Sequence, residues 1–308
     1  MNKIAYIFPG QGSQYIGMGK DFYDNFRESR DVFDEASSIL GIDMKELIFK
    51  QNDRLNITEF TQIALVTTCI AQASVVRNMG FIPDVCAGLS LGEYPALITS
   101  GVMSFQDALR VVRKRGIYMD SALPQGISSM AAVIGLSGDD VLRVCNDTNG
   151  IVTVANYNCP GQVVISGENQ AVDEASKRLK DIGAKRIIKL NVSGAFHSPM
   201  LKEAGEKLLD TLESISVNRP TIPYVSNVTA EYVYDNKDIK ELLCQQVYSS
   251  VKWQQSIENI INEGVNIFIE IGPGKTLSSF VKKINPTCIV LNVDKIEDLD
   301  KLQEVMHA

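Results

Sequence analysis

The 308-residue sequence predicts an α/β protein in which a large domain, residues 1–126 and 195–308, is interrupted by a small insertion over 127–194. Three observations carry that expectation. Short apolar runs alternate with longer amphipathic stretches through the first 125 residues, the pattern that builds a parallel sheet covered by helices. Residues 128–190 have their own βαββαβ rhythm, a ferredoxin-like order of suitable length for a small unit. After residue 195 the strand–helix alternation resumes. With 45% apolar and 22% charged residues, the chain has ample material for a buried core.

The elements follow in order. Ile4-Ala5-Tyr6-Ile7-Phe8 reads as the first strand. It runs into Pro9-Gly10-Gln11-Gly12-Ser13-Gln14, where glycines let the backbone approach a neighbour and leave the Gln11 N–H as a donor. A dinucleotide fingerprint is rejected, because Tyr15 stands where its third glycine belongs. Helices are expected near 28–40 and 59–79, the second closed by Gly80 with Pro83 behind it. A strand over 84–89 leads to Gly88-Leu89-Ser90-Leu91-Gly92 and a helix after Ser90, mildly kinked by Pro95. In the insertion, strands are expected at 130–134, 152–156, 162–166 and 185–190, and helices at 138–146 and 169–182. The rest should form helices at 200–213, 238–247 and 253–263, strands at 222–226 and 265–271, and a last helix from 276. Gly272-Pro273-Gly274-Lys275-Thr276 ends like a P-loop, but Ile269 occupies a required glycine position, so it reads as a turn.

A net charge of −7 with no dominating basic stripe argues against nucleic acid as a partner. No signal peptide and no run long enough to span a bilayer is read, so a cytoplasmic monomer with no membrane partner is expected. Cysteines 69, 86, 145, 159, 244 and 288 are scattered, lack a C-x-x-C pair and suit a reducing compartment. The N-x-S/T triplets at Asn56, Asn191 and Asn227 then carry no meaning for glycosylation. With only two histidines no zinc site is expected, and no metal or tightly held cofactor is implied.

Candidate chemistry begins at Ser90. A strand, a Gly-flanked serine and a helix make a nucleophile elbow, with helix N–H groups and partial positive charge where an oxyanion would form. The pentapeptide alone fits an ordinary turn equally well. A serine nucleophile needs a base, and the choice is narrow: His307 is penultimate, where chains fray, which leaves His197. His197 sits between Gly194 and Pro199 in a punctuated loop after a strand, although an isolated histidine is more often structural. Arg115, in a basic cluster with Arg110, Arg113 and Lys114, could fork onto a substrate carboxylate or be a solvated face. A side-chain or backbone carbonyl at Gln246 could hold a histidine N–H as an aspartate does in a triad.

Six segments, in order, resemble the malonyl-CoA:acyl carrier protein transacylases of type II fatty acid synthesis. They are Phe8-Pro9-Gly10-Gln11-Gly12-Ser13-Gln14, Gly88-Leu89-Ser90-Leu91-Gly92-Glu93-Tyr94, Arg115-Gly116, Asn158-Cys159-Pro160-Gly161-Gln162, Ala195-Phe196-His197 and Glu270-Ile271-Gly272-Pro273-Gly274-Lys275-Thr276. The resemblance implies an α/β-hydrolase-like domain with a ferredoxin-like insertion. It implies Ser90 as nucleophile, His197 as base and then acid, Gln246 orienting the imidazole, and the N–H groups of Gln11 and Leu91 as oxyanion hole. Arg115 would bind the malonyl carboxylate, and Met119, Asn158 and Phe196 would line the pocket. The reaction implied is ping-pong transfer from malonyl-CoA to the phosphopantetheine thiol of an acidic acyl carrier protein, without a cofactor. An acidic carrier would need a basic docking patch, for which Lys185, Arg186, Lys189, Lys282 and Lys283 are candidates.

Two departures stand out. Leu89 replaces the histidine that many members carry before the nucleophile, and Pro95 replaces a small residue, so the elbow helix is expected to tilt slightly. Phe196 resembles the malonyl-selective rather than the methylmalonyl-selective transferases. A thioesterase, a polyketide-type acyltransferase and a catalytically silent carrier-binding scaffold remain the alternatives.

Overall fold

The computed structural model describes residues 2–190, 192 and 194–306; Asn191 and His307, both weighed above, lie outside them. The strands are β1 (Ile4–Phe8), β2 (Val85–Gly88), β3 (Ser128–Ile134), β4 (Val152–Cys159), β5 (Gln162–Glu168), β6 (Arg186–Lys189), β7 (Tyr224–Val225), β8 (Tyr232–Val233), β9 (Ile267–Ile271) and β10 (Ile289–Val293). They form two sheets. The larger is six-stranded in the order β10-β9-β1-β2-β7-β8, parallel except for the β7–β8 pair.

Alternation along β1 explains why helices cover both faces. Tyr6 and Phe8 join the core on one side with Phe33, Leu65 and Leu109, while Ala5 and Ile7 face Trp253, Ile257 and Phe280 on the other. Strands buried on both faces read as continuous apolar runs, as β1 and β9 do. Helix Thr58–Asn78 belongs to the first layer. It is long and apolar enough by composition to cross a bilayer, contrary to the reading that no such run exists, yet it lies mostly buried within the fold.

The smaller sheet is antiparallel, in the order β4-β5-β3-β6, and helices Gly138–Asn146 and Asn169–Asp181 pack on one face. In chain order this is 2-3-1-4, the ferredoxin-like arrangement. Ala131, Val133, Val154 and Ile165 form its own core with those helices, whereas Met130, Ala132, Ala155 and Val164 turn toward the large core. The two parts are joined by backbone as well as by side chains. Tyr157 N–H donates to Val251 O at 2.9 Å, and Val251 N–H to Ala155 O at 2.8 Å.

Several elements escaped the sequence reading. Helix Phe105–Ser121 is the largest; the others are helices Lys20–Asn25, Met44–Phe49 and Asp298–Met306 and the edge strands β8 and β10. The expected strand at 222–226 shrinks to two residues. Pro95 causes no loss of a helical bond: its helix begins at Glu93, so the missing N–H falls in the first turn, where donors have no partner within the helix.

Candidate active site

The parallel strands β1, β2 and β9 all end on the same side of the sheet, where the loops of α/β folds gather functional groups. Ser90 follows β2 in a tight 3-10 turn, Ser90–Gly92, that passes into helix Glu93–Thr99. Its φ is 54°, in the left-handed region that costs a residue with a Cβ about 1 kcal/mol or more. The flanking glycines make the turn sterically feasible. A Cβ on Gly88 would lie 1.9 Å from Gly92 C, and one on Gly92 would lie 2.1 Å from Phe8 O. Asn227 clamps the elbow from outside: its Oδ1 accepts from Ser90 N–H at 2.6 Å, and its Nδ2 donates to Gly88 O at 2.7 Å.

His197 also has a left-handed backbone, φ 59°, in the loop before the turn Pro199–Leu201. Its Nε2 lies 2.7 Å from Ser90 Oγ and its Nδ1 lies 2.7 Å from the backbone O of Gln246. A carbonyl only accepts, so Nδ1 carries the proton and Nε2 offers its lone pair to the serine hydroxyl. Burial lowers the imidazole pKa to about 4; the Arg115 charge lowers it too, against the opposing Gln246 and Ser249 carbonyls. The imidazole therefore stays neutral well below pH 6.5. Two pH effects are expected. The acid limb of kcat/KM should fall near pH 4 to 5 rather than near 6.5. Stability should also decline as pH drops from about 6.5 toward 4, because the unfolded chain takes up a proton that the folded histidine refuses. Rate profiles and urea titrations across that window check both; an acid limb near 6.5 contradicts the first.

Arg115 comes from helix Phe105–Ser121, on the buried stripe that includes Ala108, Val111, Val112 and Met119. Only 1% of it is exposed, whereas Arg110 and Lys114 of the same cluster face solvent. Its Nη2 donates to Ser90 Oγ at 3.2 Å and to the side-chain Oε1 of Gln246 at 2.9 Å, and its guanidinium lies 5.7 Å from the Tyr94 ring centre. Among the described residues the Nε has no hydrogen-bond partner. Gln246 thus contributes twice, with its backbone O to His197 and its side chain to Arg115. Its Nε2 donates to Glu93 Oε2 at 2.6 Å and to Ser90 O at 2.9 Å. Glu93 is fully enclosed, and burial pushes its carboxyl up to about 7 against the bonds from Gln246 and Asn227 and the charge of Arg115.

Gln11, Ser90, Arg115, Met119, Phe196 and His197 share the wall of a cavity of about 120 Å³. Gln11 reaches it from the loop after β1, while the Leu91 side chain is in the core and only its backbone remains near Ser90. Met119 is held by Gln62, whose Nε2 donates to its Sδ at 3.7 Å. Asn158 needs correcting: it is buried on β4 but does not line the cavity, and Asn156 does. Register shifts between Val154 and Asn156 and between Tyr157 and Cys159 break the alternation along this strand. A larger groove of about 520 Å³ meets the cavity at Gln11 and Val192, with Gln14, Asn56 and Gln125 along it. Glu93, Asn227 and Asn156 are the site residues that sequence reasoning missed. Glu93 had a signal, since it stands one helical turn beyond Ser90; the other two had none.

A serine at an elbow of a parallel sheet, paired with a histidine and backed by a buried cation, defines the class: an α/β-hydrolase-like protein. Comparison with known proteins narrows it. Residues 5–290 match the acyl transferase domain family. The malonyl CoA-acyl carrier protein transacylase of Bacillus subtilis (strain 168) is 44% identical over 304 residues, covering 97% of this chain and 96% of that protein. The crystal structure of malonyl CoA-acyl carrier protein transacylase from Clostridium perfringens superposes with a TM-score of 0.97 at 46% identity, covering 99% of this chain and 97% of that one. A malonyl-transacylase solved in complex with its type II PKS acyl-carrier protein superposes at 0.95 with 38% identity, over 99% and 100% of the two chains. The chain belongs to the malonyl CoA-acyl carrier protein transacylase family.

Proposed function

We propose that this protein moves a malonyl group from malonyl-CoA to the phosphopantetheine thiol of holo-acyl carrier protein, by way of an ester on Ser90, in fatty acid synthesis in the cytoplasm. The observation that carries this reading is the Ser90–His197 contact of 2.7 Å with the buried, partly unpartnered Arg115 beside it. Ser90 Oγ attacks the thioester carbonyl and its proton passes to His197 Nε2. The oxyanion is received by the N–H groups of Gln11 and Leu91, each such donor being worth about 3 kcal/mol. The C–S bond breaks, and His197 returns the proton to the departing coenzyme A sulfur. The carrier thiol then repeats the steps in reverse, and a monomer contains every group required, with no cofactor.

Intact-protein mass spectrometry tests the cycle. After brief incubation with malonyl-CoA, one malonyl adduct should form and disappear when holo-acyl carrier protein is added. An adduct that only hydrolyses would instead indicate a thioesterase.

An acidic carrier protein needs a basic landing surface, and the grouping of three of the candidate cations supports one at the small sheet. Gln162 of β5 and Arg186 of β6 both pair with Ile134, and Lys283 Nζ donates to the Gln162 side chain, so Lys185, Arg186 and Lys283 gather at one end of the small sheet. Lys189 lies at the other end of β6 near Asp173, and Lys282 is engaged by the Pro286 and Cys288 carbonyls. Reversing the charge of Arg186 and Lys283 together should raise the carrier's KM about tenfold and leave the KM of malonyl-CoA within twofold. Equal changes in both would refute the patch.

A further inference from the structure

Among the described residues, Ser90 Oγ has two polar partners, and His197 is only one of them. The other is Arg115, whose Nη2 donates to it at 3.2 Å while Gln246 Oε1, 2.9 Å away, steadies the guanidinium there. Gln246 cannot readily turn its amide over, because Nε2 is committed to Glu93 Oε2 and Ser90 O. A charged donor on the hydroxyl engages a lone pair needed for attack. A fixed cation beside the imidazole also opposes the proton that His197 must accept. Both effects suppress reaction, and both vanish if an anion claims the guanidinium.

We propose that Arg115 restrains the Ser90–His197 pair until an acyl group bearing a carboxylate arrives, so that the substrate's own carboxylate, by drawing the guanidinium off Ser90 and neutralising it, switches on its own acylation. The inference rests on the reading of Ser90 and His197 given above. Selection for acid-bearing acyl groups then acts on the rate of the chemical step as well as on binding. The groups facing this centre are Glu93 and Tyr94 from helix Glu93–Thr99, Ser90 from the elbow, and the Gln246 and Ser249 carbonyls from helix Ile239–Tyr248 and the residue after it. Among the charged ones, Arg115 lowers the basicity of His197, and Glu93 partly balances Arg115.

The test uses an uncharged alkyl phosphonofluoridate, which has no carboxylate to trigger the release. Ser90 Oγ bonds to phosphorus, the P–F bond breaks, fluoride leaves and the hydroxyl proton goes to His197. Arg115→Ala should be modified on the order of tenfold faster than wild type, the size expected for losing one charged hydrogen bond, with its acid limb moved to higher pH. An unchanged or slower rate with an unmoved limb, in a variant of normal Tm, overturns the proposal. If Arg115→Ala does not fold, wild type decides: the acylation burst at saturating malonyl-CoA should show an acid limb at higher pH than the burst with acetyl-CoA, and coincident limbs overturn the proposal. Labelling of Ser90→Ala at the wild-type rate is a separate outcome, which removes Ser90 as nucleophile and with it the foundation of the inference.

Discussion

Ser90→Ala is expected to form no malonyl adduct and to lose transfer activity by at least about 10⁴-fold, while folding normally. The magnitude follows from the kind of group removed, since losing the nucleophile of a serine–histidine unit costs nearly everything the unit provides. Folding should survive because, among the described residues, the hydrogen-bond partners of the Oγ are His197 and Arg115, both within the site. The elbow itself is held by Asn227, which bonds the Ser90 N–H and Gly88 O rather than the hydroxyl. An alanine at φ 54° is no more strained than the serine. Mass spectrometry after malonyl-CoA, with Tm as control, measures both. A persistent adduct would place the chemistry on another residue.

Arg115→Ala is expected to reduce kcat/KM for malonyl-CoA by about 10²–10³-fold and to bring the malonyl-to-acetyl preference close to one. A carboxylate entering a cavity lined by Leu89, Met119, Met130 and Phe196 meets Arg115 as the cation in its wall. Removing one side of a buried charged pair costs about 3–5 kcal/mol, because the other charge is left desolvated and unanswered. An acetyl group brings no charge and suffers no such loss. Parallel kinetics with the two thioesters give the ratio; a preserved preference would assign carboxylate recognition elsewhere.

The sequence already contained the essentials of this centre, for reasons that can be located. Ser90 was legible because the elbow requires glycine at 88 and 92, where the structure leaves no room for a Cβ. His197 was legible through scarcity, and the six ordered segments tied both to one family. The histidine's acceptor was less visible: Gln246 holds Nδ1 with its backbone oxygen, and a backbone acceptor leaves no trace in residue type. Arg115 looked like one of four exposed cations until the helix over Phe105–Ser121 put it in line with Val111, Val112 and Met119. That spacing was available to a reader of the periodicity. Asn158 shows the opposite limit: it was expected in the turn after a strand ending at 156, whereas β4 runs on to Cys159 with two register shifts that the residue pattern does not announce. The edge strand β8, two residues long, carries too little pattern to be read at all, and β7 was read longer than its two residues.

The backbone bonds between β4 and Val251 have a thermodynamic meaning beyond holding the insertion in place. Val251 lies five residues beyond Gln246, and the Val247 carbonyl between them accepts the His197 N–H at 3.1 Å, so the insertion and the support of the imidazole share one short stretch of chain. A carrier protein that gripped the basic end of the small sheet would therefore pull on the same body that supports the His197 imidazole. If that grip favours one posture of the insertion, reciprocity requires that an imidazole set for transfer also favours the grip. Docking and catalysis would then be two readings of a single equilibrium.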